Sequence, residues 1–203
     1  MAESAPGSAN SSLYPIGLKI GGARCLVVGG GATAHRKRQE LQECGAIVES
    51  IDGVFAPSDL DGVRLLVVAT DDRQVQQVAA RAAGERGIPC NVVDVNHLCS
   101  FYAPAVLRRG ALTITVATDG KFPLLSVALR DRIAADLGEG IATALELLGV
   151  GRALAAARFP DDPDKRVEAL RRLLSPEALG SILDGRLDAF MAHWESWKTE
   201  LAA

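Results

Sequence analysis

The chain has 203 residues, 48% of them apolar and 23% charged, which suits one compact domain or two small ones and excludes a low-complexity polymer. Its net charge of -3 argues against a nucleic-acid binder, and no apolar run reaches the roughly 18 residues of a membrane span. The opening MAESAPGSANSS (1–12) has neither a basic start nor an apolar stretch, so it reads as a disordered lead-in rather than a secretory signal. Cys25, Cys44, Cys90 and Cys99 form no CxxC pair. They read as reduced thiols of a cytoplasmic protein, and no resident metal is expected.

In chain order, RCLVVGG (24–30) predicts a buried strand ending in glycine. A helix follows with Ala34, Leu41 and Cys44 inward, closed by Gly45 at the C′ position. AIVESI (46–51), RLLVVAT (64–70) and IPCNVVD (88–94) predict three more strands, the third continuously apolar as parallel strands are. DDRQVQQVAARAAGERG (71–87) predicts a helix between the last two, with Asp71 as its expected N-cap. Strands alternating with helices predict an open parallel α/β sheet to about residue 102.

The texture then changes. Two apolar stretches flank Arg108-Arg109-Gly110 and predict a hairpin, and KFPLLSVALRDRIAADL (121–137) predicts a helix with Pro123 near its start. From 138 to 203 only helical patterns follow, broken at PDDPD (160–164), with Ser175 as an N-cap before Pro176. Trp194 and Trp197 lie three apart on one helix face, as core packing residues do.

VVGGGATA places Gly29-x-Gly31-x-x-Ala34 directly after a strand and opening a helix. The first glycine makes a tight turn, the second admits a pyrophosphate, and the small third residue lets helix and strand pack. Gly29, Gly30, Gly31, Ala32 and Thr33 are therefore candidate dinucleotide ligands. Asp52, ending the second strand before Gly53, is either the acid that holds a ribose diol and selects NAD, or the first residue of an Asp-Gly turn. Glu49 lies inside the strand and is a poorer ribose ligand. Thr70 and Asp71 end the third strand and are candidates for the adenosine pocket. Asp94 ends the fourth, either as a cap on the turn that follows or as a reagent. His97 and Cys99 read as an exposed loop histidine and a packing thiol.

YPIGLKIGGARCLVVGGGATAHRK, then VVATDD, then CNVVD, then FYAPAVLRRGALTITVATDGKFP resemble precorrin-2 dehydrogenase, the NAD-dependent module of siroheme synthase, over about residues 13–137. The resemblance implies a Rossmann-like parallel sheet (13–102), a dimerisation segment (103–137) and a small all-helical C-terminal domain (138–203), assembled as a homodimer. It implies oxidation of precorrin-2 to sirohydrochlorin with NAD, and in bifunctional members insertion of ferrous iron to give siroheme. It makes Asp94 the catalytic residue and brings Thr118 and Asp119 near the substrate. Arg108, Arg109, Lys121, Arg130 and Arg132, against Asp119 and Asp131, leave a surplus of three positive charges suited to a polycarboxylate.

Two features depart from the resemblance. The 52–63 connection is too short for a full crossover helix, and Gln76 stands where family members carry asparagine. They motivate two alternatives: a tetrapyrrole-binding or chelatase-only protein with a degenerate dinucleotide pocket, or a dinucleotide-sensing regulatory module.

Overall fold

The computed structural model describes residues 13–203, so the expected lead-in at 1–12 lies outside the described residues. Two compact units divide between Ala103 and Pro104.

The first unit is a four-stranded parallel sheet. Its strands are β1 (Arg24–Val28), β2 (Ile47–Ile51), β3 (Leu65–Val68) and β4 (Cys90–Val92), in the order β2-β1-β3-β4. Leu26 stands opposite Glu49 of β2 on one side and Leu66 of β3 on the other, and Val68 stands opposite Val92 of β4. β3 is apolar throughout, and β1 is apolar from Cys25 on, because both faces of the sheet are covered. Helix α1 (Ala32–Glu43) lies over Cys25, Val27, Leu65 and Val67 through Ala34, Leu41 and Cys44. Helix α2 (Arg73–Glu85) lies over Leu26, Val28, Leu66 and Val68 on the other face.

The short connection between β2 and β3 carries a single 3-10 turn at Pro57–Leu60 in place of a helix. It fills the space by burying Phe55, Leu60 and Val63 in the same core as α2. The parallel crossover is thus achieved with side chains instead of a helical layer.

Strands β1, β3 and β4 end earlier than their apolar runs suggest, whereas β2 ends at Ile51 as expected. Gly29 leaves the sheet at a φ of 130° that side chains avoid, and Asp94 leaves it at a φ of 60°. Because the strands are parallel, the loops after all four emerge on one edge. The chain reverses its direction of travel across the sheet between β1 and β3, the switch point where open α/β sheets take ligands.

The second unit begins with the antiparallel hairpin β5 (Ala105–Arg109) and β6 (Leu112–Val116). Helix α3 (Pro123–Asp136), with Pro123 in its first turn, packs on both strands. Four helices follow: α4 (Ile141–Arg158), α5 (Pro163–Leu173), α6 (Pro176–Leu183) and α7 (Leu187–Ala202). Ser175 caps α6 by accepting the Ala178 N–H at 3.2 Å. Trp194 and Trp197 stack 5.5 Å apart in the core, and Trp197 Nε1 donates to the Ala169 carbonyl at 2.9 Å. Among the described residues no single helix is long and apolar enough to cross a membrane.

Candidate functional site

The glycine loop is built by three different constraints. A side chain on Gly29 would run into the Ala69 backbone at the end of β3. One on Gly30 would overlap the Asp52 carboxylate. One on Gly31 would meet nothing, and Gly31 has an ordinary φ of -82°. Packing against backbone therefore accounts for Gly29, the Asp52 side chain crowds Gly30, and Gly31 is left to be explained by what approaches from outside.

The two helix starts on this edge differ in the same sense. α2 is capped: Asp72 Oδ1 accepts the N–H groups of Gln74 at 2.8 Å and Val75 at 3.2 Å. α1 begins at Gly31 without any side-chain cap, leaving the amides around Ala32 and Thr33 free for an anion at the positive helix end. The pair Gly31 and uncapped α1 fits a dinucleotide pyrophosphate.

Asp52 completes the loop. Gly29 N–H is tied to the Ile51 carbonyl at 2.8 Å, which brings the end of β2 beside the glycines. Gly53 then turns away at a φ of 140°. The Asp52 carboxylate is exposed and accepts no hydrogen bond among the described residues, so its turn geometry and its availability to a ribose coexist. Glu49 is unavailable: Arg24 holds both of its oxygens, Nε to Oε1 at 2.9 Å and Nη2 to Oε2 at 2.7 Å. That ion pair lowers the Glu49 carboxyl below its ordinary range.

At the end of β3 the structure corrects the expected cap. The N-cap of α2 is Asp72, not Asp71, because Asp72 holds the extended backbone that the position requires. Asp71 is exposed beside it and has no capping duty. Thr70 is held from two sides. Its hydroxyl accepts the Asp72 N–H at 3.3 Å, and its carbonyl accepts from the buried Gln76 side chain at 2.7 Å. Gln76, which replaces the expected asparagine, thus fastens the β3 loop to α2.

Asp94 lies at the end of β4, and the turn that carries it is sealed by sulfur. Cys99 Sγ accepts the Val92 N–H at 3.2 Å and faces the carbonyls of Val92 at 3.2 Å and Val95 at 3.5 Å. Burial pushes the Cys99 thiol up, so it remains a neutral donor rather than a metal-binding thiolate. The helical turn Asn96–Leu98 starts at Val95 with no side-chain cap, so Asp94 is not a cap there. Its carboxylate is exposed, accepts no hydrogen bond among the described residues, and lines a cleft of about 640 Å³. Arg73, Gln76, Gln77, Asn96 and the exposed His97 line the same cleft. Arg73, Gln77 and Asn96 escaped the sequence reading, since nothing local in the sequence marks α2 as facing the turn after β4.

The remaining candidates lie in the second unit, and they do not form one patch. Arg108 and Arg109 are consecutive on β5 and point to opposite faces, next to the turn at Gly110. Thr118, Asp119 and Lys121 follow the other end of β6, about 14 Å away at ~3.4 Å per strand residue. There Asp119 and Gly120, with φ of 55° and 70°, make a tight turn closed by Lys121 N–H to the Thr118 carbonyl at 2.9 Å. The Thr118 hydroxyl accepts the Phe122 N–H at 3.3 Å and pairs with Ser126 Oγ at 3.1 Å, work that secures the start of α3. Arg130 is paired with Asp131 at 2.6 Å, as the charge balance already allowed, and Arg132 is paired with Asp136 at 2.9 Å, which lowers the expected surplus by one.

A doubly wound sheet, a glycine loop opening an uncapped helix and a free acid at the end of β2 define a dinucleotide-binding α/β module. Consistently, a family described as "Putative NAD(P)-binding" matches residues 16–105. The siroheme synthase of Chromobacterium violaceum is 34% identical over 191 residues, covering 84% of this chain and 40% of that protein. That of Methylococcus capsulatus is 36% identical over 194 residues, covering 86% and 41%. The solved structure of SirC, precorrin-2 dehydrogenase, superposes with a TM-score of 0.67 at 22% identity, covering 91% of this chain and all of that one, and shows the shared fold. The chain is a homologue of the N-terminal module of siroheme synthase, and it spans about 40% of the length of the curated relatives it matches.

Proposed function

We propose that this chain oxidises precorrin-2 to sirohydrochlorin with NAD as the hydride acceptor, in siroheme biosynthesis. The observation that carries this reading is the Asp94 carboxylate: uncapped and unpaired among the described residues, it lines a cleft on the sheet edge that also bears the glycine loop. Asp52 over Gly30 favours NAD, because a carboxylate there holds a ribose diol and repels a 2′-phosphate. Bound NAD supplies the hydride-accepting ring. The chain supplies position and a base: Gly31 and the first amides of α1 hold the pyrophosphate, and Asp94 takes the proton that leaves as the substrate is oxidised.

The same carboxylate could serve ferrous iron insertion, which needs pyrrole N–H protons removed. The shortened 52–63 connection does not argue for a decayed pocket, since it still delivers Asp52 to the glycine loop. The four cysteines, none of them in a disulfide among the described residues, accord with a cytoplasmic enzyme. A homodimer is supported by α3, where Ser126 is the sole buried residue while Leu124 is 72% exposed, and by Phe122 just before it, which is 57% exposed. A second copy covering this face would remove that apolar surface from water.

The test is incubation of purified protein with precorrin-2 and NAD, read by the sirohydrochlorin absorption spectrum, with and without ferrous iron. No conversion by folded protein at saturating NAD sinks the dehydrogenase reading, and siroheme formation after iron addition establishes the second activity. Sedimentation of wild type and Leu124→Glu checks the dimer, which the charge on the apolar face is expected to dissociate.

A further inference from the structure

Asp94 shares its cleft with a guanidinium that the proposed reaction leaves unused. Arg73 is the first residue of α2, and Gln77 stands one turn on, on the same helix face. Asn96 and His97 face them from the turn after β4. Arg73 makes no ion pair and no hydrogen bond among the described residues, even though Asp94 lines the same space. Asp72 is committed to the α2 cap, where it already holds the Gln74 and Val75 amides. What the cleft offers an incoming group is therefore a side-chain fork of N–H donors flanked by two side-chain amides, with one carboxylate nearby.

The geometry points to Arg73 as the anchor for a carboxylate of the substrate. A guanidinium presents paired N–H donors that match both oxygens of a carboxylate, and Gln77 and Asn96 add neutral donors beside it. The Asp94 carboxylate repels a second anion from its own side of the cleft. A polycarboxylate would therefore seat one acid group at Arg73 and present its ring hydrogens to Asp94. This assignment rests on the tetrapyrrole reading above, and it adds the residue that selects for a carboxylated substrate.

The experiment compares Arg73→Gln and Arg73→Lys with wild type in two binding measurements: sirohydrochlorin by its own fluorescence, and NAD by calorimetry. The side chain is exposed, so both variants are expected to fold, which circular dichroism melting checks. Sirohydrochlorin affinity should fall about ten- to a hundred-fold in Arg73→Gln, as for loss of a charge-assisted hydrogen bond, and less in Arg73→Lys. The gap should narrow as salt is raised, and NAD affinity should stay within about two-fold. Wild type that binds no sirohydrochlorin defeats the tetrapyrrole reading and the anchor with it. Wild type that binds while Arg73→Gln binds equally well overturns the anchor alone. A loss confined to NAD assigns Arg73 to the cofactor and overturns the anchor as well.

Discussion

The carboxylate of Asp52 lies against Gly30, in the space that any side chain at position 30 would occupy. The end of β2 and the loop after β1 are therefore a single constraint, and the middle glycine is required by an acid rather than by its own backbone angles. Gly30→Ala should push the exposed Asp52 side chain aside and lower stability by about 0.5–1.5 kcal/mol, the cost of a side chain driven off its rotamer. Asp52→Ala in the same chain should recover much of that loss. A double-mutant cycle on denaturation midpoints measures the coupling, and additive effects would show that the two residues do not share the space.

Gly31→Ala makes the opposite prediction. Its Cβ meets nothing in the protein and its φ suits an ordinary residue. Stability should hold or rise by about 0.4–1 kcal/mol through the unfolded chain. NAD affinity should nevertheless fall, because the pyrophosphate approaches there. Calorimetry beside a melting curve separates the effects; unchanged NAD affinity would remove the ligand explanation for this glycine.

At Asp94 the left-handed backbone dictates which variant is informative. Aspartate and asparagine tolerate a φ of 60°, whereas alanine there costs about 1–2 kcal/mol. Asp94→Asn should therefore fold like wild type and lose about 10²–10⁴-fold in kcat. Asp94→Ala should lose stability as well. Equal activity of Asp94→Asn and wild type would leave the residue with a structural role only.

Cys99 holds the turn on which Asp94 rides. Cys99→Ala strips the Val92 N–H of its sulfur acceptor, at a cost of about 1–3 kcal/mol, and should lower kcat by loosening Asp94. Cys99→Ser keeps a donor and an acceptor and should restore part of both. Hydrogen exchange at the Val92 and Val95 amides reports the turn directly, and unchanged protection in Cys99→Ala would count against the positioning role.

Burial pushes the Cys90 thiol from 9.0 up to about 12. The unfolded chain releases this proton first, so the folded state's advantage is complete below about pH 9 and is lost as pH climbs toward 12. The denaturation midpoint should decline across that window, and Cys90→Ala should decline less steeply. Parallel curves for the two proteins would mean that other groups control the alkaline limb.

Much of the first unit was legible because its signals are local. Apolar runs such as Leu26-Val27-Val28 and Leu65-Leu66-Val67-Val68, alternating with helical stretches, suit a parallel sheet buried on both faces, and the glycine loop sits where strand gives way to helix. The cap was not legible in the same way. Asp71 and Asp72 are equivalent as letters, and the extended backbone at Asp72 chose between them. Nor was the charge surplus, since Arg132 finds Asp136 on its own helix and the hairpin separates Arg108 and Arg109 from Lys121.

By itself, then, the sequence determined the alternating architecture, the glycine loop and the residues at the strand ends, because hydrophobic period and backbone freedom act over a few neighbouring positions. The tertiary structure alone decided that Asp52 closes over Gly30, that Cys99 braces the turn of Asp94, and that Arg73 faces that aspartate across a cleft. These relationships join different elements. They exist because four parallel strands deliver their carboxyl ends to one edge, a consequence of strand order and register that no single stretch of sequence carries.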